Sequence, residues 1–288
     1  MNLAVSEFYD LIPESGLPRF EDSGFNVVRN INLGLGDTIM SFCFSQDEAM
    51  TNNLFKYSDS PHFSPLLSLN PNPTSLNAPA KIFEIHTCHG YNFSGGHIID
   101  KLRKVLGLPK LVMPKAFLGP IPQKESGKVI LSFDTGIHQR VQKAHIHPRA
   151  RELYDEHKAA IQKFINESKM RFVEVGIRSS GFSGVENKTG VGLAQTIKEV
   201  TDAELFIGIN SGPAHLAAAF NVRSIIVVNF PNAHNLYLPC LKENDFPDSC
   251  WLYPQNVHLH EDEDGELAPK FSYENLKRAI EGKIYPHF

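Results

Sequence analysis

The segment FIGINSGPAHLAAAFNVRSIIVVN, from Phe206 to Asn229, sets a short polar turn between two apolar runs. Asn210, Ser211, Gly212 and Pro213 make the turn, and Ala214 to Phe220 reads as an alanine-rich helix. Pro213 suits a first helical turn, where the N–H it lacks would have had no partner in any case. Asn210 or Ser211 can cap that turn. Unpaired N–H groups and the helix dipole at such a point favour an anion, for example a diphosphate. Ala217, Ala218 and Ala219 keep the helix slim enough to pack close to a sheet. His215 falls within the first turns, either facing a ligand or filling the core.

Three more polar loops follow runs that read as strands. Ligands of parallel sheets bind beyond the carboxyl ends of the strands, so these loops are where chemistry is expected. Asn32-Leu33-Gly34-Leu35-Gly36-Asp37 holds two glycines that let backbone approach a ligand, with Asp37 either a helix cap or a working carboxylate. It lacks the third glycine of the dinucleotide fingerprint and an acidic residue about twenty positions on. The loop Asp134 to Lys143 is polar and basic, and Arg140 and Lys143 either reach an anionic group or sit in solvent. Ile177 to Gly181, leading on to Asn187-Lys188-Thr189-Gly190, is rich in glycine and serine.

The elements that must position these loops alternate. FNVVRNI (25–31) and KIFEIH (81–86) read as strands, TIMSFCFSQDEAM (38–50) as a helix opened by Asp37, and GHIIDKLRKVLGLP (96–109) as an amphipathic helix. Residues 58–80 are rich in proline, serine and asparagine and read as loop. The proline-rich stretch 113–127 reads as a linker. Beyond it, strands at KVILSF, MRFVEVG, AELFIGI and SIIVVN alternate with helices at 151–167, 192–202 and 214–220, and a last helix lies at 271–282. Short apolar strands alternating with helices predict a parallel sheet covered on both faces. The expected domains are 1–122 and 123–288.

The chain has 288 residues, 42% hydrophobic and 21% charged, with a formal net charge of −4. This is a globular composition, without the basic balance of a broad nucleic-acid-binding face. Cys43, Cys88, Cys240 and Cys250 are scattered without a C-x-x-C pair and read as reduced thiols. His145-x-His147 and His86-x-x-His89 lack a third ligand, so no metal site is expected. The first residues carry no basic segment followed by an apolar stretch, and no apolar run reaches the ~18 residues of a membrane span. A cytoplasmic protein is expected.

Taken together and in this order, the loops resemble glycosyltransferase family 9, the heptosyltransferase-like enzymes. The most specific match is NSGPAHLAAAFNVRSIIVVN; Gly34-Leu35-Gly36-Asp37 and the helix ending Leu106-Gly107-Leu108-Pro109 support it. The resemblance is good over roughly 127–230 and thinner over 25–45 and 96–109. It implies a GT-B fold: two Rossmann-like α/β domains with parallel sheets facing across a cleft, the acceptor held mainly by the first and a nucleotide-diphospho-sugar mainly by the second. The tail helix then has the option of packing back on the first domain. Asp37 matches the proposed general base of an inverting, metal-independent transfer, with Gly34 and Gly36 in its loop. Asn210, Ser211, Gly212 and His215 match the turn that contacts diphosphate and sugar, and Lys143, or else Arg140, the basic residue of the donor site. No cofactor is implied beyond the nucleotide sugar as co-substrate. Asn210 stands where the family commonly has Asp, and the Glu that often opens the next helix is not found near Gly192-Leu193-Ala194. Rival readings are a non-catalytic nucleotide-sugar-binding protein and a nucleotide-sugar epimerase of the same architecture. The acceptor, whether glycan, protein, metabolite or modified nucleobase, is not legible.

Overall fold

The computed structural model describes residues 27–30, 34–44, 54–56, 64–69, 82–85, 97–105, 108–116, 118–134, 153–228, 253, 255–260 and 269–285. They fall into two compact units, and the chain passes from the first to the second between Gly119 and Pro120. Gly119 has φ +112°, and a Cβ there would lie 2.9 Å from the carbonyl oxygen of Leu69, so only glycine fits.

The first unit contains three parallel strands, β1 (Val27–Asn30), β2 (Leu54–Lys56) and β3 (Ile82–Ile85), in the order β2-β1-β3. Val28 of β1 is opposite Phe55 on one side and Phe83 on the other. After β1 the helix α1 (Leu35–Met40) runs into a 3-10 turn (Ser41–Phe44). The sequence reading starts this helix at Thr38 with Asp37 as its cap; the structure corrects both points. The Gly34 carbonyl already accepts the Thr38 amide at 3.0 Å and its hydroxyl at 2.8 Å. The helix therefore closes within the glycine loop, and Asp37 belongs to its first turn. The stretch read as loop over 58–80 holds a one-turn helix, α2 (Ser64–Leu67). Helix α3 (Ile98–Val105) buries Ile98, Ile99 and Leu102. Its buried Arg103 donates to the carbonyl of Cys43 and to that of Pro109, both at 2.7 Å, which fastens α3 to the segment after α1.

The second unit is a six-stranded, wholly parallel sheet in the order β6-β5-β4-β7-β8-β9. The strands are β4 (Glu125–Ser132), β5 (Arg171–Gly176), β6 (Glu186–Thr189), β7 (Ala203–Ile209), β8 (Arg223–Val228) and β9 (Val257–His260). Counted from β4 this is 3-2-1-4-5-6, the doubly wound Rossmann order. Val129, Leu131, Leu205, Ile207, Ile225 and Val227 point to one face. There they share a core with Ile161, Phe164 and Ile165 of α4 (Asp155–Glu167) and with Leu276 and Ala279 of α7 (Tyr273–Ile280). The tail helix thus contributes to the core of this unit. The alternate residues Ile130, Phe206 and Ile226, also buried, face the other way. Helices α5 (Leu193–Thr201) and α6 (Gly212–Ala219) pack on β5, β7 and β8. Each large side chain taken from water here contributes about 1.5–3 kcal/mol. The sequence reading places no strand at 186–189 or 257–260, and these are the two edge strands.

Candidate functional site at the carboxyl edge of the second sheet

From β4 the chain winds toward β5, and from β7 it winds the opposite way toward β8. The carboxyl ends of β4 and β7 therefore flank the topological switch point, where open parallel sheets bind ligands. Ser132 of β4 is opposite Gly208 of β7. A Cβ on Gly208 would lie 2.4 Å from the Ser132 carbonyl oxygen and 2.8 Å from the Phe206 ring, so this closeness requires glycine.

Two and three residues beyond Gly208 come Asn210, half-buried, and Ser211, which stands at the N-cap of α6 with extended backbone (φ −153°, ψ 172°). The sequence expectation that Asn210 or Ser211 caps the helix is corrected: no side chain caps it. The Ser211 carbonyl takes the amides of Ala214 and His215 at 3.0 and 3.2 Å. The Ser211 hydroxyl is buried and has no hydrogen-bond partner, and the buried hydroxyl of Ser132 has none either. Native proteins rarely leave buried hydroxyls unpaired, and each such group costs about 1–3 kcal/mol. Here two of them occur at one end of neighbouring strands, beside a helix N-terminus whose dipole favours negative charge.

Pro213 to Ala219 are all buried. His215 is buried too, with Nδ1 3.1 Å from the hydroxyl of Tyr253 and the two rings edge to face at 5.4 Å. Tyr253, 38 residues further on, fixes how this imidazole is presented, and nothing in the sequence singles it out.

The loop after β5 is organised by carboxylates. Glu174, buried on β5, accepts the Ser179 hydroxyl and the Ser180 amide, both at 2.7 Å. The Ser179 hydroxyl is thereby committed to the loop itself. Asp134, just past β4, accepts the Arg178 amide at 2.8 Å and lies 3.4 Å from the Arg178 guanidinium. Gly176, at φ +140°, brings β5 close to the same place: its Cβ position is 3.7 Å from the Asp134 Cβ and 3.9 Å from the Ser132 hydroxyl. Asn187 and Thr189 bond each other, and the Gly190 amide donates to the Gly176 carbonyl at 2.8 Å.

The structure thus places Asn210, Ser211, Gly212 and His215 on one turn and helix of the second unit. Gly34 and Gly36, both half-buried, and the backbone of Asp37 belong to the start of α1 in the first unit. Arg140 and Lys143 lie outside the described residues. Sequence reasoning missed Ser132, Glu174 and Tyr253. Among the described residues no three His, Cys, Asp or Glu side chains are grouped to hold a metal ion, and no helix is long and apolar enough to cross a membrane.

No protein-family model matches the chain, and no curated protein matches it in sequence. Solved structures do match in shape. The glycosyl transferase family 9 protein from Veillonella parvula DSM 2008 has a TM-score of 0.61 at 12% identity, over 90% of this chain and 97% of that one. The E. coli heptosyltransferase WaaC, solved with ADP, has a TM-score of 0.58 at 12% identity, over 89% and 99%. The iron-containing dodecameric glycosyltransferase TibC from enterotoxigenic E. coli H10407 has a TM-score of 0.55 at 16% identity, and the match spans 76% of this chain and 62% of TibC. At these identities the likeness establishes the fold, which is the one the NSGPAHLAAAF resemblance implies.

Proposed function

We propose that the chain is an inverting glycosyltransferase that moves a sugar from a nucleotide-diphospho-sugar to an acceptor hydroxyl. The observation that carries this is the pair of buried, unpartnered hydroxyls, Ser132 and Ser211, at the switch point beside the N-terminus of α6. A diphosphate is an acceptor-rich anion that would satisfy both hydroxyls and the helix end. The fold shared with WaaC, a structure solved with ADP, makes an adenine nucleotide the first donor to try.

In the proposed step, the Asp37 carboxylate takes the proton of the acceptor hydroxyl as that oxygen bonds to the anomeric carbon. The bond from that carbon to the diphosphate oxygen breaks, its electron pair leaves with the nucleoside diphosphate, and the configuration inverts. Fixed donors at the leaving group stabilise the charge that develops there and need no metal. Arg140 or Lys143 is the proposed basic partner.

Two measurements test the reading. Gly212→Asp puts a carboxylate at the proposed anion site, and calorimetry is expected to show loss of nucleoside diphosphate binding in a folded protein; unchanged affinity sinks the donor site. Asp37→Asn keeps the shape and removes the base. Turnover is then expected to fall by a factor on the order of 10² or more, with donor affinity retained. Full turnover in this variant removes Asp37 from the chemistry.

A further inference from the structure

The segment that carries α3 and its exit is charged opposite to the chain as a whole. Residues 96–119 hold five cations, Lys101, Arg103, Lys104, Lys110 and Lys115, against Asp100 alone, a formal charge of +4. The whole chain is at −4, so all its other residues together carry −8. Within this basic segment, Lys110-Leu111-Val112-Met113-Pro114-Lys115 forms a bend that is fastened at both ends. At its start Arg103 donates to the Pro109 carbonyl at 2.7 Å, and Lys110 lies 3.4 Å from Asp100. At its end Pro114, Ala116 and Leu118 are buried. Between these anchors Val112 is fully exposed and Met113 is exposed as well. An apolar tip already fixed in place loses little freedom when it is covered.

Lysines flank that tip. The Lys110 side chain is 72% exposed. Burial alone lowers the pKa of the Lys115 ammonium from its ordinary value, and among the described residues no carboxylate offsets it. An anion brought to Lys115 would. Aliphatic side chains between lysines match an anionic bilayer: long basic stems keep their charges among the headgroups while the apolar tips pass below them. A single-stranded nucleic acid would call for aromatic side chains on which bases stack, and Lys110 to Lys115 contains none.

We propose that residues 110–115 are a membrane-docking tip, which seats Val112 and Met113 in an anionic lipid surface with Lys110 and Lys115 on the headgroups. The proposal does not rest on the donor-site reading.

The test is co-sedimentation of the full chain with vesicles, titrated in lipid. One short tip gives reversible binding. The protein is expected to partition onto phosphatidylglycerol/phosphatidylcholine vesicles at least roughly tenfold better than onto phosphatidylcholine alone, and to come off at high salt. Lys110→Gln and Lys115→Gln should each lower partition about fivefold, the worth of one basic side chain near an anionic surface. Val112→Asp should lower it roughly tenfold or more with the melting temperature unchanged, since Val112 packs on nothing. In Val112→Trp, fluorescence should be quenched by lipids brominated in the acyl chain, beyond any quenching of Trp251 in wild type; this reports burial of residue 112 itself. Equal binding to both vesicle types overturns the proposal, as does no binding to either. Unchanged partition in Val112→Asp, or no added quenching in Val112→Trp, overturns it too. A wild-type dimer in solution that Val112→Asp separates would assign the tip to a second copy of the chain and overturn it likewise.

Discussion

The two edges of the six-stranded sheet treat polar groups in opposite ways. At the amino edge they are paired. The Lys128 ammonium, 2% exposed, lies 2.7 Å from Glu199 and 2.5 Å from Asp202. Lys124 donates to the carbonyls of Thr201 and Phe220, where α5 and α6 end and their dipoles are negative. Arg171 bridges Glu125 and Glu186 at 2.8 and 2.6 Å. At the carboxyl edge the hydroxyls of Ser132 and Ser211 are buried without partners. Polar groups at the first edge are satisfied by the fold. At the second, the carboxylates are tied into the loop after β5, but the hydroxyls of Ser132 and Ser211 wait for something the chain does not supply, which is how a binding site differs from a fastening.

The largest expected effect breaks the amino edge. Lys128→Met removes the ammonium that Glu199 and Asp202 share and leaves buried Glu199 with the Gln195 amide and the Lys188 ammonium at 3.8 Å, so denaturant unfolding is expected to show a loss of about 3 kcal/mol, the low end for a broken buried pair. Nucleotide affinity of the folded protein should not change. Altered affinity would mean that the two edges are coupled and the contrast is false.

A smaller effect is expected from Glu199→Gln, about 1–2 kcal/mol, because Asp202 still takes the ammonium. The pH dependence is the sharper readout. Burial pushes the Glu199 carboxyl up, but hydrogen bonds from Lys128 and Gln195 outweigh it and hold the group below its usual range. A depressed folded-state value means that the stabilisation is complete above the usual carboxylate range and is lost as pH falls through the folded value. Stability measured from pH 6 downward should therefore fall more steeply in wild type than in Glu199→Gln. Parallel curves would show that this carboxylate is not held by the cluster.

The smallest effect on stability belongs to the carboxyl edge. Ser211→Ala removes a buried hydroxyl that bonds nothing, so the stability of the nucleotide-free protein should hold or rise by about 1 kcal/mol. Nucleoside diphosphate affinity should drop several-fold, the worth of one hydrogen bond. Destabilisation as large as in Glu199→Gln would make Ser211 a fastening like the rest.

What the sequence made legible follows the same division. The central strands KVILSF, RFVEVG, AELFIGI and SIIVVN are buried on both faces and read as unbroken apolar runs, so the parallel sheet and the NSGP turn were visible. The edge strands β6 and β9 were not. Glu186-Asn187-Lys188-Thr189 alternates charged and uncharged polar side chains, and Val257-His258-Leu259-His260 is short and half polar. Edges are kept polar to prevent pairing with other chains, which also removes the hydrophobic signal. The start of α1 was missed because two glycines argue for a loop, while the Thr38 bonds to Gly34 that close the turn leave no mark in composition. His215 was open between core and ligand, and its partner Tyr253 comes from a segment with no local tie to it. Ser132 reads as an ordinary strand residue; only the folded chain shows that nothing answers its hydroxyl.

The strand order also has a consequence for how the chain is made. β4 is the first strand of its sheet to be synthesised, yet it ends in the middle, between β5 and β7. The partner on its β7 side begins only at Ala203, after the 70 residues 133–202 have followed. At roughly 5–20 residues per second, that edge of an apolar strand, Val129-Ile130-Leu131, stays unpaired on the ribosome for about 4–14 s. An open apolar strand edge is a template for pairing with other chains. During synthesis, then, the innermost strand of the finished sheet is the one most exposed to misassociation, and aggregation on fast overexpression should be relieved by slower translation or added chaperone.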